Sequence, residues 1–220
     1  MKSDWRVYGK KADFKRLADK YSIDQVIARI IRNRDICGDS DIDMYLNGDI
    51  KDMHDPKDMK DAVVSVDIIE KKIKEKCRIR IIGDYDIDGI CSIYILYKGL
   101  LAAGADVDYV VPHRINDGYG INEHLIDNAL SDGIDTIITC DNGISAYSQV
   151  KYAKDNGMTV IVTDHHDVPF DMIDGEKKYC IPPADAVVNP KQTSCKYPLS
   201  CYVEQVLHIS LYAFFMKEWE

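Results

Sequence analysis

The chain has 220 residues, of which 46% are hydrophobic and 30% are charged, and its formal net charge is −9 at pH 7. This composition is typical of a globular protein; it excludes wholesale disorder and argues against a protein that coats nucleic acid by charge alone. No stretch has the ~18 apolar residues of a membrane span, and the N-terminal sequence MKSDWRVYGKK lacks the apolar region of a secretory signal, so we expect a cytoplasmic protein.

Two helix starts are recognisable in the first third of the chain. Ser22 and Gln25 match a capping box, and an apolar stripe at helical spacing follows them. Asp55 followed by Pro56 has the pattern of an N-cap and a first helical position, and a second apolar stripe continues from there. Between these two predicted helices, the acidic stretch 38–48 is predicted to be a loop.

From residue 78 onward, short β-branched runs alternate with stretches of helical length. The predicted strands are 78–82, 106–111, 136–139, 159–163 and 186–189. The predicted helices between them are 90–103, 122–132 and 145–156, and a hydrophilic loop is predicted over 167–184. Alternating strands and helices predict an α/β fold with a mostly parallel sheet and helices on both faces.

These patterns divide the chain into three parts. Residues 1–76 are predicted to form a helical N-terminal segment, and residues 77–198 an α/β core. Residues 199–220 are predicted to be an atypical, apolar, helix-like tail.

Three polar clusters directly follow predicted strands: GDYDIDG follows the first strand, CDNG the third and TDHH the fourth. The carboxyl ends of parallel strands meet at one edge of a sheet, so the side chains of these clusters should converge. They are Asp84, Asp86, Asp88, Asp141, Asp164, His165 and His166. Carboxylates with one or two imidazoles suit Mn²⁺ or Mg²⁺, and two such ions ~4 Å apart clamp the oxygens of a phosphoryl transfer.

Simpler roles exist for the individual residues. An aspartate after a strand is commonly a turn or N-cap residue, and Asp88 before Gly89 fits the start of the next helix. The Asp-Asn-Gly sequence from Asp141 is likewise a turn pattern. Three clusters at three strand ends favour the metal-site interpretation over three separate coincidences. Asp141 is the predicted bridging ligand, because the central strand end can reach both sides.

Four segments in order, GDYDIDG, HRINDGYG, TCDNGIS and VTDHHDVP, resemble the motifs of the DHH phosphoesterases, and in particular of the single-strand-specific 5′ to 3′ DNA exonucleases among them. The resemblance implies a set of metal ligands at Asp84, Asp86, Asp88, Asp141 and His165. It implies that His166, together with Asp141, acts in catalysis at the scissile phosphate or its water. It also implies that Arg114 contacts the substrate, with a solvated arginine beside a turn as the alternative.

The same resemblance implies the reaction and its partner. Two Mn²⁺ or Mg²⁺ ions would support hydrolysis of single-stranded DNA, in DNA repair and recombination. Members of the family continue beyond this length and carry a further metal-binding aspartate, so we expect an impaired exonuclease activity. Two alternatives stay open: a DHH phosphoesterase for short oligonucleotides, cyclic dinucleotides or pyrophosphate, and a metal-binding fragment without catalysis.

Overall fold

The structure is a computed structural model, and it describes residues 9–113, 118 and 120–198. Its contacts divide the chain into two compact units, Met1–Met53 and His54–Glu220. The boundary predicted at residue 76 differs from this division, because the helix that precedes residue 76 packs on the sheet of the second unit. The predicted tail, 199–220, lies outside the described residues.

The described part of the first unit contains three α-helices, which are α1 (Phe14–Tyr21), α2 (Gln25–Asn33) and α3 (Asp39–Asn47). The predicted cap of α2 is wrong by two residues. Asp24 is the cap, and its carboxylate accepts a hydrogen bond from the Val26 amide at 2.7 Å, whereas Ser22 ends α1 in the left-handed conformation. The predicted loop over 38–48 is also wrong. It is helix α3, and Asp39 and Asp41 lie in its first turn, where the helix dipole favours negative charge.

The second predicted helix begins later than the sequence suggests. Asp55 caps only a short 3₁₀ turn, Pro56–Asp58, and helix α4 spans Ala62–Lys74. Asp61 separates the two with a φ of 60°, a conformation that no α-helix continues through. Its carboxylate accepts a hydrogen bond from the amide of Val187, on the edge strand of the sheet. The chain therefore breaks the helix and gains a contact with the sheet.

The second unit is built on a five-stranded sheet in which every neighbouring pair is parallel. Its strands are β1 (Arg78–Gly83), β2 (Asp106–Val110), β3 (Thr136–Cys140), β4 (Thr159–Thr163) and β7 (Ala186–Val188), in the spatial order β2-β1-β3-β4-β7. All five predicted strands are confirmed to within one residue at each end. β-branched side chains dominate the three strands β3, β4 and β7, whose residues are nearly all buried, whereas the edge strand β2 is partly exposed.

Helices cover the two faces of this sheet. They are α4, α5 (Ile87–Ala102), α6 (Glu123–Ser131) and α7 (Tyr147–Asp155). Ile69 of α4 and Leu96 of α5 belong to the core on one face, and Ile126 of α6 and Val150 of α7 to the core on the other. The predicted α/β fold with helices on both faces is confirmed. Within the described ranges, no helix is long and apolar enough to cross a membrane.

The stretch predicted as a loop over 167–184 contains a β-hairpin. Its strands are β5 (Phe170–Ile173) and β6 (Glu176–Tyr179), and among the described residues they pair only with each other. All eight residues are exposed, so no alternation between buried and exposed positions marks these strands. Asp174 and Gly175 form the connection, both with positive φ, as a two-residue hairpin turn requires.

Candidate metal centre

Three strands of the sheet end at the same level. Gly83 of β1 is paired with Cys140 of β3, and Cys140 is paired with Thr163 of β4. The next residue along each strand is an aspartate, and these three carboxylates are no more than 2% exposed: Asp84, Asp141 and Asp164. The register of a parallel sheet thus brings together residues that are eighty positions apart in the sequence.

Two groups of candidate ligands form at this edge, and in each group the donor atoms lie within 4.8 Å of one another. The first group is Asp84, Asp86 and Asp141, and the second is Asp141, His165 and His166. Asp141 belongs to both groups. Carboxylate oxygens with imidazole nitrogens match the preferences of Mn²⁺ and, on the oxygen-rich side, of Mg²⁺.

Asp88 and Arg114 stand apart from these groups. Asp88 lies half-buried in the first turn of α5, and neither group of described ligand atoms includes it. Arg114 lies outside the described residues. Both stay predictions as site residues.

Asp141 has an unusual backbone and an unusual carboxyl group. Its φ is 59°, in the left-handed region that aspartate tolerates better than most residues do. His165 Nε2 lies 3.1 Å from one of its carboxylate oxygens. Burial, and next the negative charge of Asp86, raise the pKa of the Asp141 carboxyl to about 8. A bound cation would reverse that effect, because it stabilises the ionised form.

Asp164 holds two loops in place. Its carboxylate accepts hydrogen bonds from the backbone amides of Ile144, at 2.9 Å, and His166, at 3.0 Å. It also pairs with the His166 ring at Nδ1, at 2.7 Å, and this hydrogen bond raises the pKa of the His166 imidazole. The sequence places Asp164 at this edge, but only the structure shows that it orients the histidine rather than joining a group of ligands.

Asn142 has a role that the sequence missed. Its side-chain amide donates to the carbonyls of Ile82 and Cys140, at 3.0 and 2.8 Å, and its oxygen accepts from the amide of Ile121, at 3.1 Å. Asn142 thereby connects the ends of β1 and β3 to the segment that follows residue 120. Its only sequence signal is the Asp-Asn-Gly turn pattern, which does not distinguish a turn residue from a buried connector.

We expect Asn142→Ala to weaken Mn²⁺ binding by ~10- to 100-fold, the range found when an outer-shell partner of a ligand is lost. It should also lower the free energy of unfolding by ~1–3 kcal/mol, because buried carbonyls lose their donor. Ile126→Val, in the core under α6, should cost ~1 kcal/mol and leave Mn²⁺ affinity unchanged. Calorimetric titration and chemical denaturation measure both quantities. Equal Mn²⁺ affinity in the two variants would contradict the role given to Asn142.

The start of α5 depends on Asp86 and Gly89. The Asp86 carboxylate accepts a hydrogen bond from the Gly89 amide at 3.0 Å, so the capping role considered for Asp88 belongs to Asp86. A Cβ atom on Gly89 would lie 2.4 Å from the carbonyl oxygen of Asp84. Glycine is therefore required for α5 to begin so close to the end of β1.

We expect Gly89→Ala to displace α5 from Asp84 and so to destroy the first group of ligands. The clash is with backbone atoms and cannot be relieved by a rotamer change, so Mn²⁺ binding should fall more than tenfold. Gly133→Ala is the control, because Gly133 has a positive φ and open space around it. This change should lower the free energy of unfolding by ~1–2 kcal/mol without changing Mn²⁺ affinity. Mn²⁺ titration of both variants checks this, and normal binding by Gly89→Ala would refute it.

A cavity of about 370 Å³ opens beside the second group of ligands. Its lining residues are Gly143, Ile144, Ser145, Asp164 and His166. It is large enough for a phosphate with part of its sugar, and His166 places an imidazole in its wall.

The model of the DHH family, N-terminal domain, matches residues 78–219. The chain belongs to the DHH family. The match contains every described residue of the two groups of ligands and extends into the predicted tail. The resemblance seen in the four motifs is confirmed.

Two relatives of this chain are single-stranded-DNA-specific exonucleases. The single-stranded-DNA-specific exonuclease RecJ of Bacillus subtilis (strain 168) is 33% identical over 198 residues, which are 90% of this chain and 24% of the relative. RecJ of Salmonella typhimurium (strain LT2) is 39% identical over 135 residues, which are 61% of this chain and 22% of the relative. The chain thus spans about a quarter of the length of these relatives.

Solved DHH-family structures agree with the fold. A crystal structure of exonuclease RecJ bound to manganese matches with a TM-score of 0.57 and 32% identity, over 71% of this chain and 38% of that chain. RecJ from Thermus thermophilus in complex with Mn²⁺ matches with a TM-score of 0.53 and 29% identity, over 72% and 22% of the two chains.

Proposed function

We propose that this chain is the catalytic core of a single-strand-specific DNA exonuclease that hydrolyses phosphodiester bonds with two divalent cations. The observation that carries the proposal is the position of Asp141, which belongs to both groups of ligand atoms. A carboxylate between two cation sites is what a two-metal phosphoryl transfer requires. The RecJ relatives, which are single-stranded-DNA-specific exonucleases, support the substrate class.

The residues present fit Mn²⁺ or Mg²⁺. Asp84, Asp86 and Asp141 would hold one ion, and Asp141 with His165 would hold the other, with Asp88 as a further predicted ligand. When bound, the ions would lower the pKa of a water molecule and polarise the phosphodiester. Manganese is the better supported of the two cations, because two matching RecJ structures are described as bound to it.

His166 is the proposed catalytic group outside the ion sites. Its Nδ1 pairs with the Asp164 carboxylate at 2.7 Å, which orients the imidazole in the wall of the cavity proposed for the phosphate. The same contact favours the protonated ring, so His166 is suited to donate a hydrogen bond to a phosphate. The cavity lined by His166 and the turn from Gly143 to Ser145 is where the scissile phosphate would lie.

The proposed substrate is a single DNA strand degraded from its 5′ end, with Arg114 as a substrate contact. Such an enzyme would act in DNA repair and recombination. We also propose a cytoplasmic location, because the RecJ relatives are bacterial exonucleases and bacterial DNA lies in that compartment.

Hydrolysis of a 5′-phosphorylated single-stranded oligonucleotide, with and without Mn²⁺, tests the proposal. We expect release of mononucleotides that stops when Mn²⁺ is removed by EDTA and when His166 is replaced by alanine. The matched control is Lys178→Ala, an exposed position of the hairpin, which should keep its activity.

The same assay separates the alternatives. Faster turnover of a dinucleotide than of the oligonucleotide would indicate a phosphoesterase for small substrates. Tight Mn²⁺ binding without turnover of either substrate would indicate a metal-binding fragment. Either result would overturn the proposed function.

A further inference from the structure

The connection between β4 and β7 differs from the other three crossovers of the sheet. Those three contain a helix each, α5, α6 or α7, which packs on the sheet. The connection from β4 to β7 contains the hairpin β5–β6 instead. None of its eight strand residues belongs to the described core, since all of them are exposed. Packing in the core therefore does not explain the apolar side chains of the hairpin.

The register of the hairpin sorts its side chains onto two faces. Phe170 is paired with Tyr179, Asp171 with Lys178, Met172 with Lys177, and Ile173 with Glu176. Successive residues of a strand point to opposite faces, and directly paired residues share a face. One face, here called the platform face, therefore holds Phe170, Met172, Lys177 and Tyr179. The opposite face holds Asp171, Ile173, Glu176 and Lys178.

The platform face combines two aromatic rings with one positive charge. The rings of Phe170 and Tyr179 lie 5.8 Å apart at an angle of 61°, and Lys177 Nζ lies 4.2 Å from the centre of the Phe170 ring. Phe170 is 43% exposed, Met172 61% and Tyr179 39%. Both acidic side chains of the two strands lie on the opposite face, so Lys177 carries the only charge of the platform face.

This face begins close to the candidate metal centre. Phe170 follows His166 by four residues, so their Cα atoms are at most ~14 Å apart. Between them, Val168 is buried in the core, and the carbonyl of Pro169 accepts a hydrogen bond from the amide of Cys180. The base of the hairpin is therefore fixed beside the histidines.

We infer that the platform face is a stacking surface for the bases of single-stranded nucleic acid. Every base has a π face that stacks on an exposed aromatic ring without sequence preference, and a lysine beside the rings suits the phosphate backbone. The inference rests on the proposed function, and it adds the place where the strand is held next to the metal centre. The four residues of the platform face include a lysine and no acidic side chain, and this combination favours a negatively charged strand over a partner protein.

Fluorescence anisotropy with a labelled oligo(dT) of about twelve nucleotides tests this inference on the full chain. EDTA is present, so that the oligonucleotide stays intact. We expect Phe170→Ala and Tyr179→Ala to weaken binding about tenfold each, as the loss of one stacked base does. Phe170→Leu, which keeps an apolar side chain but removes the π face, should weaken binding nearly as much as Phe170→Ala.

The opposite face supplies matched controls in the same hairpin. Ile173→Ala and Lys178→Ala should change affinity less than twofold. Lys177→Ala and Lys178→Ala remove the same charge from neighbouring positions. Only Lys177→Ala should reduce the slope of log K against log [salt], by about 0.7, which corresponds to one phosphate contact of a single strand.

The outcomes are distinguishable. Equal affinities in all variants, or equal losses on both faces, would overturn the inference, and so would a wild-type chain that does not bind oligo(dT). Normal DNA binding by platform-face variants that no longer self-associate in sedimentation would show that a second copy of the chain covers this face. A chain that binds DNA through the platform face but hydrolyses no substrate would overturn the proposed function, whereas the inference of a stacking surface would be supported.

Discussion

Asp141→Asn is expected to abolish binding of both divalent cations while making the metal-free protein more stable at neutral pH. The asparagine keeps the shape of the side chain and tolerates the left-handed backbone at this position. It removes the charge that both groups of ligands share, so affinity should fall by more than the ~10- to 100-fold typical of outer-shell partners. It also removes the cost of keeping this buried carboxyl protonated at neutral pH, where the unfolded chain would ionise it.

Asp86→Asn is the matched control for this result. Asp86 is exposed and belongs to the first group of ligands only, so its loss should weaken binding of one ion and leave binding of the second unchanged. Calorimetric titration with Mn²⁺ gives the number of bound ions, and thermal melting in EDTA gives the stability of the metal-free forms. Loss of a single ion in both variants would mean that Asp141 is not the shared ligand.

The second large effect is the dependence of Mn²⁺ affinity on pH. Mn²⁺ affinity should fall about tenfold for each pH unit below about 8, because the ion must displace the proton from Asp141, whose pKa is raised to about 8. Titrations at several pH values, in buffers with different heats of ionisation, should show about one proton released for the pair of ions. Constant affinity between pH 6 and pH 8 would contradict the raised pKa.

The stability of the metal-free protein should change with pH in the direction opposite to ordinary acid denaturation. The Asp141 carboxyl has a higher pKa when folded than its usual value of ~3.9 when unfolded, so between these values the folded state binds more protons. Its contribution to the free energy of unfolding therefore falls as pH rises from about 4 to about 8, by up to ~1.4 kcal/mol per pH unit. The difference between wild type and Asp141→Asn isolates this contribution from all other groups.

The sheet was predictable because four of its five strands, all but the edge strand β2, are largely buried. Runs such as 159–163 are β-branched throughout, and the stretches between them have helical length. The N-terminal errors have local causes. Asp24 and Ser22 both suit an N-cap, and only the left-handed conformation of Ser22 decides between them. The hairpin was missed because strands exposed on both faces have no hydrophobic alternation to detect.

The candidate site was predictable as far as strand ends determine it. Asp84, Asp141 and Asp164 follow from counting residues after each strand, since parallel strands end at one edge. The difference between Asp164 and Asp141 was not predictable, because it depends on which backbone amides each carboxylate meets. The roles of Asn142 and Gly89 depend on contacts between segments far apart in the sequence. No local sequence pattern indicates such contacts.

The hydrogen bonds of Asp164 and Asn142 have a consequence for the choice of cation. Each side chain makes three contacts that fix the loops bearing the ligands. Loops held in this way have little freedom to widen, so the spacing of the oxygens should discriminate between cations by radius. Ca²⁺ prefers 6–8 oxygens at ~2.3–2.6 Å in a flexible shell, whereas Mg²⁺ needs distances of ~2.0–2.1 Å. A fixed, narrow frame of ligands should therefore accept the smaller cations and reject calcium.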